Sequence, residues 1–264
     1  MIDDQEMQKL LLSFQATRRE MADRFVRNLV LRHNDYVLPE RSRLMNSLVF
    51  IHMAHDFTSG LVGEINRFLI GIAHAEAWSQ IAKKRDKGDE LALLWEFAEP
   101  HLELSVGRPY SIKNQFIFAA VHLLHQSKKL KNPDWIDDLP ADHKINYRSL
   151  EMADAGWKGF PDFVGKLNKL NDEKFCKNTL NLRHRLQHRF RTQFRFGVTG
   201  YFDREKTATG IAYHYKLIPA IPLPILLPEL YKQHEAASEL FRSYWTLLTE
   251  LCSEWDRQYL YEGT

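Results

Sequence analysis

An all-α bundle with one small β-hairpin-like insertion is the fold this sequence predicts, and three observations predict it. Apolar residues recur at three- and four-residue steps along most of the chain, the spacing that lines one face of a helix. One stretch, about residues 194–218, turns instead to aromatic and β-branched residues punctuated by glycine, a strand composition. At 264 residues and 44% hydrophobic content, the chain can bury a core of its own. It shows no internal repeat, so a single helical domain over 1–264 is expected.

The first segment, about residues 3–33, sets Met7, Leu11, Phe14, Met21 and Phe25 along the stripe of a long amphipathic helix. Pro39 ends that pattern, because proline has no N–H to donate and its ring crowds the preceding turn. About residues 42–84 lack proline and again favour helix, with Gly60, Gly63 and Gly71 as places where it divides. Lys83–Glu90 (KKRDKGDE) reads as a surface turn, and the short helix after it stops at Pro100. Another helix covers about 111–129 through Phe116, Ala119, Ala120, Leu123 and Leu124. Asn132-Pro133, Leu139-Pro140, Ala155-Gly156 and Phe160-Pro161 mark loops around short helical pieces near 142–154 and 162–170. Asn171 or Asp172 caps the next helix, expected over about 172–192. The insertion turns near Asp203–Thr207. Pro219, Pro222, Pro224 and Pro228 then exclude a continuous helix across Leu217–Leu230, so the C-terminal helix is placed at about 229–259, with Leu230, Leu240, Trp245, Leu248 and Trp255.

A formal charge of +2 is near neutral, so a polyanion-binding surface has to be local. The two cysteines, Cys176 and Cys252, stand far apart and build no disulfide framework, which fits a reducing compartment. The acidic start, MIDDQEMQKLLLSF, lacks the basic and apolar regions of a signal peptide, and no apolar run has the length of a membrane span. A cytoplasmic protein with no membrane attachment is expected.

The chemistry concentrates in one place. Lys174 to Phe202 holds no acidic residue, yet carries Lys174, Lys177, Arg183, Arg185, Arg189, Arg191 and Arg195 with His184 and His188. Phosphate groups are the natural target of such a segment; the plainer alternative is a solvated helix face paired with acids from elsewhere in the fold. On an uninterrupted helix, at roughly 100° per residue, Phe175, Leu182, Leu186 and Phe190 form the core stripe. His184 and His188 then lie one turn apart on the far side, with Lys177 and Asn181, and Arg183 sits between the two faces. Lys177, Asn181, Arg185, Arg189, Arg191 and Arg195 are the candidate RNA-binding residues.

Arg183-His184-Arg185-Leu186-Gln187-His188 resembles the signature of the HEPN superfamily, in which an arginine, a polar residue, three variable residues and a histidine follow one another on a helix. The resemblance covers that single helix. It implies a HEPN-type bundle that pairs with a second copy to bring two motifs together at a cleft. Many members are metal-independent endoribonucleases of phage defence, toxin–antitoxin systems or RNA processing. By the family's logic His188 is the acid/base group, Arg183 clamps the phosphate and His184 assists. The residue types suit that chemistry: histidine titrates near neutrality, and arginine presents a fixed planar cation where charge grows on phosphorus. The same resemblance implies RNA as substrate, a homodimer, an antitoxin or defence-complex partner, and neither metal nor cofactor. Arg27-Asn28 followed by His33, with one more intervening residue, is a competing match on the first helix.

Other classes stay open at this point. A non-catalytic HEPN-like module would bind RNA or a nucleotide, or support assembly. A helical metalloprotein would use His52 with His55 or His122 with His125, pairs whose spacing lets them share a metal; no repeated Glu-x-x-His arrangement accompanies them, as a di-metal bundle requires. A purely structural dimer would cover the basic helix with acids. Tyr201, Phe202, Tyr213, His214 and Tyr215 either stack bases or pack the hairpin onto the bundle.

Overall fold

The computed structural model describes residues 4–22, 26, 29, 48–132, 134–153, 156–184, 198–207 and 210–261. They are mostly helical: α1 (Asp4–Glu20), α2 (Leu48–Ala82), α3 (Lys87–Leu93), a π-helical turn (Leu94–Ala98), α4 (Glu99–Ser127), α5 (Tyr147–Ala153), α6 (Phe160–Leu167), α7 (Glu173–Asn178) and α8 (Leu223–Tyr261). One two-stranded antiparallel sheet, β1 (Val198–Thr207) and β2 (Gly210–Pro219), precedes α8. Among the described residues no helix is long and apolar enough to cross a membrane. The chain divides into two compact units, Met1–Arg27 with Leu69–Arg108 and Asp172–Gln233, and Asn28–Phe68 with Pro109–Asn171 and His234–Thr264.

The first unit is organised by stacked rings. Phe14 of α1 lies flat on Trp78 of α2 at 4.6 Å between centroids, and Trp78 stacks on Phe97 of the π turn at 4.4 Å. In that turn the Glu99 N–H reaches back to the Leu94 carbonyl, five residues away, so the backbone is wider than an α-helix. The widening explains why the helix does not stop at Pro100 as its sequence suggests. A proline ring normally collides with the carbonyl four residues earlier, and the wider π turn over Leu94–Ala98 is where that carbonyl lies. His74 meets Phe14 edge-on at 5.4 Å and His101 at 4.9 Å. Burial first, then the positive charges of Arg18 and His101, hold the His74 imidazole down to about 4. Asp86 caps α3 by accepting from the Gly88 and Asp89 N–H groups, so the charged turn read from KKRDKGDE also starts a helix.

The second unit has its core where α4, α6 and α8 meet. Phe116, Phe163, Phe241 and Tyr244 are all essentially buried, with centroids of 5.6 Å for Phe116–Tyr244 and 5.9 Å for Phe241–Tyr244. Burying each such ring is worth about 2–3 kcal/mol, and the edge-to-face meeting of Phe116 with Tyr244 adds to that. Before α6, the Glu250 carboxylate accepts from the Lys158 N–H at 2.9 Å and the Gly159 N–H at 2.8 Å. It thereby sets an anion at the positive end of α6. A Cβ on Gly159 would stand 3.2 Å from the Leu247 Cα, a tight approach that favours glycine. Cys252 is buried, and burial pushes its thiol up to about 12, whereas Cys176 in the first unit is half-buried.

Further element bounds differ from the sequence reading, each for a physical reason. The helix over α2 is not divided: it runs through Gly60, Gly63 and Gly71, because flanking residues such as Leu61, Ile65, Phe68 and Ile72 are buried and hold it. The C-terminal helix starts at Leu223 rather than near 229. Pro224 sits in its first turn, where a missing N–H costs nothing, and Leu226 and Leu230, both fully buried, carry the helix past Pro228. The hairpin spans Val198–Pro219, and Thr207 pairs directly with Gly210, so the connection is residues 208–209 and not Asp203–Thr207. Gly210 has φ +146, a conformation at the turn that side chains rarely adopt.

Candidate functional site

Asp172 opens the candidate segment as the sequence suggests. Its carboxylate accepts from the Phe175 N–H at 2.7 Å, an N-cap that starts α7. Phe175 is buried beneath it. The helix does not run on to 192, however: it closes at Asn178, and Leu180 and Asn181 follow with φ 52 and 51. The Asn181 N–H bonds to the Cys176 carbonyl at 2.7 Å and the Leu180 N–H to the Lys177 carbonyl at 3.1 Å. This pair of six-to-one and five-to-two bonds is a Schellman cap, with Leu180 at the left-handed position that glycine usually fills. Because Leu180 has a side chain, nothing in its residue type signalled the stop. The Thr179 hydroxyl, buried, donates to the Phe175 carbonyl at 2.7 Å and fastens the same turn.

Helical geometry resumes over 182–184. Leu182 is fully buried and anchors this second start. Arg183 behind it is half-buried and His184 is exposed. Lys177 and Asn181 are exposed as well, but the left-handed pair of Leu180 and Asn181 breaks the helix between Lys177 and His184, so the single wheel that put all three on one face does not apply. Asn181 belongs to the cap itself. His188, Arg185, Arg189, Arg191 and Arg195 lie outside the described residues, as do Arg27, Asn28 and His33 of the competing match. Among the described residues, Glu229 approaches the basic segment at Lys174 and Asn178. Glu229 of α8 is held below the usual carboxylate range first by its hydrogen bond from Lys232, with Asn178 and the charge of Lys174 contributing. That neighbourhood is the α7 end, before the left-handed turn.

The histidine pairs weighed as metal ligands are placed differently from one another. His52 and His55 are both exposed on α2, and the His55 Nδ1 stands 3.8 Å from the Asp56 carboxylate, both side chains open to solvent. On α4, His125 is 3% exposed, with Nε2 at 3.1 Å from Asp137 and Nδ1 at 3.7 Å from Asp138. The Trp135 indole N–H donates to the His125 carbonyl at 3.1 Å. His122 places Nε2 at 3.6 Å from Asp142, and burial depresses its pKa more than the nearby carboxylates raise it. These contacts fasten residues 135–142 to the end of α4. Each ring nitrogen of His125 thus faces a different carboxylate of that segment. Among the described residues no group of three or more His, Cys, Asp or Glu is arranged to hold a metal ion.

The hairpin brings together residues that the sequence reading had partly sorted. Directly opposed residues of an antiparallel pair share a face, and the register matches Phe202 with Tyr215, Arg204 with Tyr213 and Lys206 with Ile211. His214, opposite Asp203, belongs to the alternate positions. All six residues of the first face are exposed, and the Phe202 and Tyr215 rings meet edge-to-face at 5.7 Å. Arg204 and Lys206 were missing from the aromatic cluster as read from sequence; the two-residue alternation of β1 is the signal that would have added them. No family model, no curated protein and no solved structure matches this chain.

Proposed function

We propose that the chain is a metal-independent endoribonuclease of HEPN type, acting as a homodimer and controlled by an antitoxin or defence-complex partner. The observation that carries this reading is the pairing of half-buried Arg183 with exposed His184 directly after the buried anchor Leu182, on a segment whose sequence completes the arginine–polar–x3–histidine pattern at His188. In the proposed reaction the His188 imidazole takes the proton of an RNA 2′-hydroxyl. The 2′-oxygen attacks the adjacent phosphorus, and the 5′-oxygen leaves with a proton from the second copy's histidine. The products are a 2′,3′-cyclic phosphate and a 5′-hydroxyl, and Arg183 balances the charge that grows on the phosphate.

Incubation of the purified protein with mixed RNAs in EDTA tests this. Cleavage is expected to yield cyclic phosphate ends and to fall by about 10²–10⁴-fold in His188→Ala, the usual share of a general acid/base group. Arg183→Ala is expected to lose a comparable factor. Cleavage that His188→Ala leaves intact, or that appears only with added divalent metal, overturns the assignment. The exposed aromatic and basic face of the hairpin favours a second reading, a module that holds RNA without cutting it; binding without cleavage in the same experiment is its outcome.

A further inference from the structure

We infer that the β1–β2 hairpin carries a binding platform for single-stranded RNA, formed by Phe202, Tyr213 and Tyr215 as base-stacking surfaces with Arg204 and Lys206 as phosphate partners. The register sets all five residues on one face of the ribbon together with Ile211. Phe202 is 61% exposed, Tyr213 68% and Tyr215 69%. Rings this open are not packing a core, and an aromatic face of this kind is costly to leave in water unless something covers it.

Charge selects the occupant. The six facing positions hold two cations and no acid, and the run from Lys174 to Phe202 leading into β1 is also free of acids. A polyanion meets such a face without desolvating an opposing carboxylate, whereas a second copy of the chain would set Arg204 and Lys206 against their own like. Spacing agrees with bases as the stacked groups. Residues two apart on a strand, Tyr213 and Tyr215, project about 6.8 Å from one another. That is twice the rise of about 3.4 Å per stacked nucleotide, so one base fits between the two rings. Stacking of this kind reads no sequence, because every base has a π face. A single strand is required, since a duplex keeps its bases inside. The choice of RNA over DNA rests on the reading of Arg183–His188 as RNA-directed; the platform itself does not need cleavage to occur.

Fluorescence anisotropy with a labelled 2′-O-methyl RNA 12-mer, which no 2′-hydroxyl attack can cut, separates the two claims. The full-length protein is expected to bind this probe in preference to the same sequence as a duplex. Tyr213→Ala and Tyr215→Ala are each expected to weaken binding by on the order of tenfold, the worth of one base–aromatic stack, and Tyr213→Phe to retain it. The Arg204→Glu, Lys206→Glu double variant is expected to flatten the salt dependence, lowering the slope of log K against log[salt] by about 1.4 for two lost phosphate contacts. All these side chains are exposed, so an unchanged melting temperature is expected in each variant. The inference is overturned if the aromatic variants bind the 12-mer as wild type does, if the duplex binds as tightly, or if the variants instead dissociate a dimer in sedimentation.

Discussion

His234 lies 4% exposed beneath the Phe68 ring, and its Nε2 has no hydrogen-bond partner among the described residues. Burial pushes its imidazole down to about 4, and burial with its charged neighbours does the same for His74. An unfolded chain protonates both near 6.5, so between about pH 6.5 and 4 the unfolded state binds protons that the folded state refuses. Stability is therefore whole above about 6.5, declines as the pH falls, and has lost its full share below about 4. For His234 that share is about 3 kcal/mol. The melting temperature is expected to drop markedly between pH 7.5 and 4.5 in the wild type and distinctly less in His234→Leu, which keeps the volume apolar and removes the titration. Equal drops in the two proteins would show that His234 takes its proton inside the fold at no cost. Leu180 illustrates the opposite kind of residue, one whose side chain works against its backbone. At φ 52 and only 38% exposed, it accepts left-handed strain of about 1 kcal/mol for its place in the cap. Leu180→Gly is expected to raise stability by up to about that amount, read as a higher urea midpoint at unchanged slope; a lower midpoint would mean that the packing of its side chain outweighs the strain.

At the level of elements, the sequence was legible wherever a residue type has one local meaning. Asp172 was readable as a helix start because an aspartate before a periodic run has few other uses, and its carboxylate does accept from the Phe175 N–H. The strand composition read at about 194–218 was legible for the same reason, and a two-stranded hairpin over Val198–Pro219 stands before the last helix. What was not legible depends on partners distant in sequence. The caps that end α7 fall on Thr179, Leu180 and Asn181, none of them a glycine, so no stop was visible. Pro100 and Pro228 read as breaks, yet a π turn accommodates the first and the buried leucines of α8 override the second. The Glu250 carboxylate that receives the start of α6 comes from 91 residues away and no local pattern announces it. Of the candidate site, the start at Asp172 was legible and the break at Leu180 and Asn181 was not: Arg183 and His184 follow the buried Leu182 after that break, so the face they were expected to share with Lys177 does not survive the left-handed turn.

For the molecule as a whole, each unit is assembled from three separate stretches of chain, and α2, α4 and α8 each contribute residues to both. No single cut can therefore release a unit with its core complete. A fragment ending at residue 171 lacks Phe175, Leu182, Leu226 and Leu230 from the first unit and Phe241 and Tyr244 from the second, all of them buried. It is expected to show helical far-ultraviolet dichroism without the near-ultraviolet signal of fixed aromatic rings; a near-ultraviolet spectrum like that of the intact chain would mean that one unit is autonomous. The two sulfur atoms carry a practical consequence at this scale. With the Cys252 thiol buried and locked in its protonated form, a nitroxide reagent at neutral pH is left with Cys176, on the helix just ahead of the arginine–histidine segment. One spin per polypeptide is then the natural stoichiometry, and a dipolar echo would register how far apart two such segments stand, arriving as a narrow short-range distribution if two chains face one another there and as featureless decay if they do not.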